Sequence, residues 1–172
     1  YSVCGAVFHD LGNINYTFIS SSRCNGFSNY ELFCRPIIEV LHSLGVNAVL
    51  SGRNDLLIDG KKFSGNAQCA YKNRLMHHGT LMFCADVSDM TAALNVNPLK
   101  IQSKGIKSVR SRVTNISEHL PEPMDIEAFC ERIVRHISAD DSGVPYELSE
   151  ADIAAVHKLV CEKYSLDEWN YG

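Results

Sequence analysis

The sequence predicts an α+β domain built on a mixed or antiparallel β-sheet with helices packed on it. Two stretches rich in β-forming residues, separated by a helical pattern, fill the first half of the chain, and the last third is helical. With 172 residues, 45% hydrophobic and 21% charged, the chain has the composition of a soluble globular protein with room for a hydrophobic core. We therefore treat residues 1–172 as one domain.

The first half begins with a predicted hairpin and a helix. Strands 4–9 and 14–20 flank Asp10–Asn13, whose Asp, Gly and Asn residues favour turns. A helix is predicted from Asn29 until Gly45, with Pro36 expected either to kink it or to mark the start of its regular part. Its apolar residues at helical spacing are Phe33, Ile37, Ile38, Leu41 and Leu44.

The rest of the chain is divided between strands and helices. Further strands are predicted at 46–50, 55–58, 61–68 and 78–85. The polar region 95–111 has no clean period and is predicted to be a mobile loop, and 138–145 is predicted to be a linker. Helices fit 125–137 and 149–164, the second with Ser149 as N-cap and Asp152 three residues on.

Charge and hydropathy argue against several classes of partner. The net charge of -4 gives no electrostatic reason to expect nucleic acid or an anionic membrane as partner. No apolar run approaches the roughly 18 residues that would span a bilayer, and no signal peptide is recognisable, so we expect a cytoplasmic protein. The seven cysteines suggest neither a disulfide framework nor a zinc site, and we expect most of them to be buried thiols.

The dipeptide Asp59-Gly60 predicts a two-residue hairpin turn. This turn pairs Leu57 with Lys62 and Asp55 with Ser64, and it places the Asp55 carboxylate and the Lys62 ammonium diagonally on one face of the sheet. Such a pair suits a phosphate-bearing ligand and its metal. An ordinary exposed ion pair explains the same spacing.

The next strand alternates between polar and apolar positions. His78, Thr80, Met82 and Cys84 share one face, while His77, Leu81 and Phe83 share the other. Because adjacent strand residues point in opposite directions, His77 and His78 are poorly placed to chelate one ion, which disfavours a zinc site.

Five segments of the chain form a set of linked motifs, and such a set is far more specific than any one motif. They are His9-Asp-Leu-Gly-Asn-Ile-Asn-Tyr16, Ser51-Gly-Arg-Asn-Asp55, Gly60-Lys-Lys-Phe-Ser-Gly65, His77-His-Gly-Thr-Leu81 and Lys104-Gly-Ile-Lys-Ser-Val-Arg-Ser-Arg-Val-Thr-Asn115. In this order and spacing they resemble lipoate-protein ligase A, a family whose catalytic domain is similar to that of biotin protein ligase.

The resemblance implies an enzyme that activates lipoate with ATP and Mg²⁺ to lipoyl-AMP and releases pyrophosphate. The lipoyl group then passes to a lysine of an acceptor, either a lipoyl domain of a 2-oxoacid dehydrogenase E2 subunit or the glycine cleavage H protein. Lys62 corresponds to the catalytic lysine and Asp55 to the metal ligand, and the loop 103–111 corresponds to a segment that orders around the adenylate. The residues implied to bind ATP or lipoyl-AMP are Ser2, Gly5, Ala6, Val7, His9, Asn13, Asn54, Asp55, Lys62, Ser64, Ala67, His78 and Thr80.

The chain also departs from the family pattern. The family's N-terminal segment and small C-terminal accessory domain have no counterpart, so we expect a partial catalytic domain, with a separate accessory chain as one way to complete it. Val3 and Cys4 replace two glycines of the family, and side chains there could crowd the pocket. Cys4 leaves open an octanoyl or lipoyl transferase that works through a thioester without ATP. A non-catalytic binder of lipoate or of lipoyl domains is a further alternative.

Overall fold

Five strands form one antiparallel sheet in a computed structural model that describes residues 8–21, 29–52, 54–93, 112–138 and 143–172. Their spatial order is β1-β5-β4-β3-β2, and every neighbouring pair is antiparallel. The strands are β1 (Asn13–Ser21), β2 (Ala48–Ser51), β3 (Asp55–Ile58), β4 (Lys61–Tyr71) and β5 (Arg74–Met82). The predicted α+β class with a helix-covered antiparallel sheet is confirmed.

Five α-helices accompany the sheet in the described ranges. They are α1 (Tyr30–Ser43), α2 (Val87–Ala93), α3 (Ile126–Ile137), α4 (Glu150–Leu159) and α5 (Asp167–Asn170). A 3-10 turn (Ile116–His119) precedes α3, and a π turn (Val160–Tyr164) follows α4. None of the helices in these ranges has the length and apolar character needed to cross a bilayer. The short α2, the 3-10 turn and α5 were not predicted.

Helix α1 matches its sequence signals. The Asn29 side chain accepts a hydrogen bond from the Leu32 amide at 3.1 Å, which satisfies one of the free donors of the first turn. Gly45 takes a φ of +79° just beyond the helix, as the predicted stop requires. Pro36 lies inside the helix and not at its start.

Several sequence predictions about the strands need correction. Phe8 and His9 are not in a strand, so a hairpin with 14–20 has no support in the described residues, and residues 4–7 lie outside them. The partner of β1 is β5. Strand β4 ends three residues later and β5 begins four residues earlier than predicted, because Lys72 adopts a positive φ of +53° and Lys72-Asn73 closes a second tight hairpin. Strand β5 ends at Met82 and not at residue 85, and β2 is Ala48–Ser51 and not 46–50.

The hydrophobic core lies between one sheet face and helices α1 and α3. Cys34, Ile37 and Leu41 of α1 pack with Phe63 of β4 and Phe129 of α3, all of them buried. Phe129 stacks on Phe83, with 4.9 Å between ring centroids. One sheet face is therefore covered by helices α1 and α3.

The chain divides into two compact units, Tyr1–Ile137 and Ser138–Gly172. The second unit contains α4, which begins as predicted with Ser149 as N-cap in a capping box with Asp152. The boundary falls at the start of the predicted linker. Of the five cysteines in the described residues only Cys34 is buried, so the expectation of mostly buried thiols is wrong for this set, and Cys84 and Cys161 are exposed.

Candidate functional site

The β3–β4 hairpin closes as predicted, but its register changes further from the turn. Asp59 and Gly60 both have positive φ, +49° and +76°, as a two-residue turn of this type requires. Leu57 pairs with Lys62 as predicted. A β-bulge then leaves Phe63 without a partner, so that Asp55 lies opposite Gly65 and not, as predicted, opposite Ser64.

The bulge brings Lys62 and Asp55 together across a glycine. The Lys62 Nζ atom lies 2.7 Å from Asp55 Oδ1, and both side chains are about two-fifths exposed. A Cβ atom at Gly65 would lie 3.0 Å from that Nζ and 3.1 Å from Cε, so the lysine side chain lies over Gly65 on its way to Asp55. The bulge also turns Ser64 to the side of Leu56, where it is buried.

The backbone of Lys62 is held from the other side by the segment that follows the predicted loop. The Lys62 amide donates to the Arg112 carbonyl at 2.8 Å, and the Thr114 amide donates to the Lys62 carbonyl at 3.0 Å. Val113 forms an isolated parallel bridge with Lys62. Residues 112–114, which belong to the motif Lys104–Asn115, thus fix the main chain of Lys62. Residues 94–111 lie outside the described ranges.

An open cavity of about 260 Å³ lies beside this lysine. Polar residues of its lining include Lys62, Asn13, His78 and Thr80, and apolar ones include Met82 and Met90. A lining that combines a cation and polar side chains with apolar ones suits a small amphipathic ligand that carries an anionic group. The lining residues are Phe8, His9, Asn13, Asn15, Lys62, Phe63, Ser64, Gly65, Asn66, Ala67, His78, Thr80, Met82, Met90 and Val113.

Most of the implied site residues within the described ranges meet at this cavity. Those that line it are His9, Asn13, Lys62, Ser64, Ala67, His78 and Thr80. Asp55 reaches it only through its ion pair with Lys62, and Asn54 is engaged elsewhere, since its Nδ2 donates to the Asn66 carbonyl at 2.9 Å. Ser2, Gly5, Ala6 and Val7 lie outside the described residues, as does Cys4.

Strand alternation could have found some of the lining residues that the sequence analysis omitted. Asn15 lies opposite Thr80 in the β1–β5 register and so shares its face. Met90 on α2 and Val113 have no such signal. Met90 reaches the cavity by packing with Met82 and Ala85, and Val113 packs against this cluster.

Asp10 and Asn115 of the motifs fix the backbone around the cavity. The Asp10 carboxylate accepts hydrogen bonds from the Gly12 amide at 2.9 Å, from Asn13 Nδ2 at 2.7 Å and from the Asp86 amide at 2.7 Å. Asn115 clamps Ala85, accepting from its amide at 2.9 Å and donating to its carbonyl at 3.0 Å. These contacts fix the start of β1, the end of β5 and the start of α2 relative to one another.

His77 lies on the covered face and His78 on the other, so the predicted separation of the two histidines is confirmed. It is fully buried, its ring stacks on Phe33 with 5.0 Å between centroids, and its Nδ1 lies 3.2 Å from Gln68 Nε2. Burial, with a smaller effect of the adjacent His78, lowers the pKa of the His77 imidazole to about 4. No cluster of three or more His, Cys, Asp or Glu residues able to hold a metal exists among the residues described. His77 is therefore a neutral core residue.

Comparison with solved structures identifies the class of protein. The chain superposes on a structure of an archaeal bipartite lipoate protein ligase and its E2 lipoyl domain from Thermoplasma acidophilum, with a TM-score of 0.82 and 27% identity over 99% of this chain and 68% of that one. The fold is therefore that of a lipoate protein ligase.

Sequence comparison identifies the family. The model of the lipoyl protein ligase A/B catalytic domain matches residues 5–138, and the chain belongs to this family. It is 50% identical to lipoate-protein ligase LplJ of Bacillus subtilis over 98% of this chain and 52% of the relative, and 48% identical to lipoate-protein ligase 1 of Staphylococcus aureus over 98% and 51%. The chain thus spans about half the length of the curated relatives it matches.

Proposed function

We propose that this chain carries the catalytic part of an ATP-dependent lipoate-protein ligase. The observation that carries the proposal is the ion pair of Lys62 and Asp55 beside a cavity that is lined by both polar and apolar residues. Identity of 50% to a lipoate-protein ligase along nearly the whole chain supports it.

In the first half-reaction a carboxylate oxygen of lipoate attacks the α-phosphorus of ATP. A new oxygen–phosphorus bond forms, the bond to the β-phosphate bridging oxygen breaks, and pyrophosphate leaves. Because two anions must approach, a fixed cation at the reacting phosphate lowers the barrier. We assign this role to the Lys62 ammonium, which lies over Gly65 and is paired with Asp55 beside the cavity.

In the second half-reaction the neutral amine of an acceptor lysine attacks the carbonyl carbon of lipoyl-AMP. An amide bond forms, the bond between the carbonyl carbon and the phosphate oxygen breaks, AMP leaves, and the amine loses one proton. We propose lipoyl domains of 2-oxoacid dehydrogenase E2 subunits and the glycine cleavage H protein as acceptors. Lys62 is again placed to stabilise the charge that develops on the phosphate and carbonyl oxygens.

The residues present fit a magnesium ion that is held mainly by the nucleotide. Mg²⁺ commonly binds through one or two carboxylates together with substrate phosphates and water. Asp55 supplies one carboxylate, about two-fifths exposed at the cavity edge, and would hold the ion from the protein side. When bound, the ion would neutralise part of the phosphate charge.

Lipoate-dependent exchange between pyrophosphate and ATP, with Mg²⁺ present, tests the proposal. We expect exchange in the wild-type chain and a loss of about a hundredfold or more in Lys62→Ala, because the fixed cation is removed. Lys61→Ala is the matched control: Lys61 is the neighbouring residue, lies opposite Ile58 and does not line the cavity, so it should retain full exchange.

Two outcomes would contradict the proposal. Undiminished exchange in Lys62→Ala would remove the catalytic role from that lysine. Absence of exchange in folded wild-type protein, with acyl transfer from a thioester that needs no ATP, would instead favour a transferase. Mass spectrometry of an apo lipoyl domain incubated with the chain, lipoate and ATP measures the second half-reaction.

A further inference from the structure

Three residues form a row across three neighbouring strands on the covered face of the sheet. Tyr16 of β1 lies opposite Gly79 of β5, and Gly79 lies opposite Asn66 of β4. The Tyr16 hydroxyl crosses over the glycine and donates a hydrogen bond to Asn66 Oδ1. A Cβ atom at Gly79 would overlap Asn66 Oδ1 and would lie 2.8 Å from two ring atoms of Tyr16, so only glycine leaves room for this contact.

The hydrogen-bond partners of Asn66 allow one orientation of its carboxamide. Its Nδ2 faces the Asn54 carbonyl at 3.1 Å and Ser64 Oγ at 3.3 Å, and a carbonyl oxygen can only accept. The amide oxygen therefore points to Tyr16, whose hydroxyl must be protonated to donate. Burial, and next the nearby Cys34, raise the pKa of this hydroxyl far above its usual range, so that it stays protonated.

Asn66 in turn fixes the turn that carries the acidic member of the ion pair. The Asn54 carbonyl accepts both the main-chain amide of Asn66 at 2.9 Å and its side-chain amide. Asn54 Nδ2 returns a hydrogen bond to the Asn66 carbonyl. Asp55 is the next residue, and its carboxylate meets Lys62. A continuous chain of contacts thus joins the partly buried Tyr16 hydroxyl to the charged pair at the cavity.

We propose that Tyr16 is a positioning residue for the ligase reaction, which holds the Asp55–Lys62 pair in place through Asn66 and the Asn54 carbonyl. The inference rests on the proposed function. Tyr16 itself touches no reacting atom: without its hydroxyl, Asn66 loses the contact that fixes its carboxamide, and the turn before Asp55 is held less firmly. Small displacements of positioned groups lower rates strongly, even when the substrate still binds.

Tyr16→Phe tests the proposal with two measurements, both made well below the midpoint of unfolding. In pyrophosphate exchange, kcat should fall about tenfold while the KM for lipoate stays within about twofold. By NMR, hydrogen exchange of the Asn66 main-chain amide should become about tenfold faster, while amides of α1 keep their protection. Tyr71→Phe, at the exposed end of β4, is the matched control and should change neither quantity.

The two measurements separate this inference from the function on which it rests. An unchanged kcat or an unchanged exchange rate at Asn66 would overturn the positioning role. If the wild-type chain carries no pyrophosphate exchange, the proposed function fails, and amide exchange at Asn66 alone decides whether Tyr16 fixes the turn. Should Tyr16→Phe not fold, Asn66→Ser removes the side-chain bond to Asn54, keeps the main-chain one, and is expected to give the same fall in kcat and the same faster amide exchange at position 66.

Discussion

The two compact units of the chain are stabilised in different ways. In Tyr1–Ile137, helix α3 buries Phe129 and Ile133 against the sheet. In Ser138–Gly172, helix α4 has apolar residues but no buried ones, and Ile153 and Val156 remain 45% and 51% exposed. The first unit therefore depends on burial of apolar surface, whereas local polar contacts contribute most to the helix of the second.

Truncation of a core side chain in the first unit should have the largest effect on stability. Phe129→Ala is expected to lower the free energy of unfolding of the first unit by about 3–5 kcal/mol, because it leaves a cavity under Phe83. Val134→Ala, on the exposed side of the same helix, is the matched control and should cost under about 0.5 kcal/mol. Urea unfolding followed by far-UV circular dichroism measures both.

The corresponding truncation in the second unit is Val156→Ala. Because this side chain is half exposed, we expect a change below about 1 kcal/mol. Trp169 is the only tryptophan, so its fluorescence reports on this unit. A loss as large as that of Phe129→Ala would mean that the apolar side of α4 is covered in solution, and the contrast between the units would fail.

Acid should lower the stability of the first unit through the buried His77. The pKa of His77 is lowered to about 4 by burial, so between its usual value near 6.5 and about 4 the unfolded chain binds the proton more readily than the folded one. The folded state is therefore more stable above that window, where His77 is neutral in both states. It loses stability as the pH falls through the window. The loss amounts to at most about 3 kcal/mol.

The measurement is the unfolding free energy at about pH 7 and about pH 4.5 for wild type and His77→Gln, since the variant removes the titrating group. The difference between the two pH values should be smaller in the variant. The exposed His157→Gln is the control and should behave as wild type. An equal pH dependence in His77→Gln and wild type would show that His77 is protonated as easily in the folded as in the unfolded chain.

Local rules predicted the parts of the site that depend on neighbouring residues. Asp59-Gly60 fixed the turn, and alternation along β5 correctly separated the buried His77 from His78 at the cavity. The bulge at Phe63 was beyond these rules, because it depends on how Phe63 and Ser64 both become buried. A wrong partner for Asp55 still gave the right ion pair, since a long lysine side chain tolerates a register change of one residue.

Contacts between distant strands were not predictable in the same way. The β1–β5 pairing places Tyr16 and Asn66 in one row although 50 residues separate them, and no local pattern indicates it. The family resemblance supplied the list of site residues, but it did not indicate the contact between Tyr16 and Asn66. Asn54 illustrates the difference: its side chain is bonded to the backbone of Asn66, so in the structure it supports Asp55 and does not face the cavity.

Loss of the α4 N-cap should produce the smallest effect, and one confined to the second unit. Ser149 Oγ accepts the Asp152 amide at 3.2 Å, and the Asp152 carboxylate accepts the Ser149 amide at 2.9 Å and the Tyr146 hydroxyl at 2.7 Å. Ser149→Ala should speed hydrogen exchange in the first turn of α4 about fivefold, while Ser165→Ala, the control, should leave it unchanged. Amides of β4 should keep their protection in both variants.

The same cap predicts a loss of stability in acid at a lower pH than the window in which His77 acts on the first unit. Hydrogen bonds from Ser149 and Tyr146 hold the pKa of the Asp152 carboxyl below its usual range. The cap therefore stabilises the helix above the usual carboxyl pKa and loses this contribution as the pH falls through the lowered one. Because Ser149→Ala removes the strongest of these bonds, its α4 amides should lose protection at a higher pH than those of the wild type. An identical acid transition in both would mean that the capping box does not set the stability of this helix.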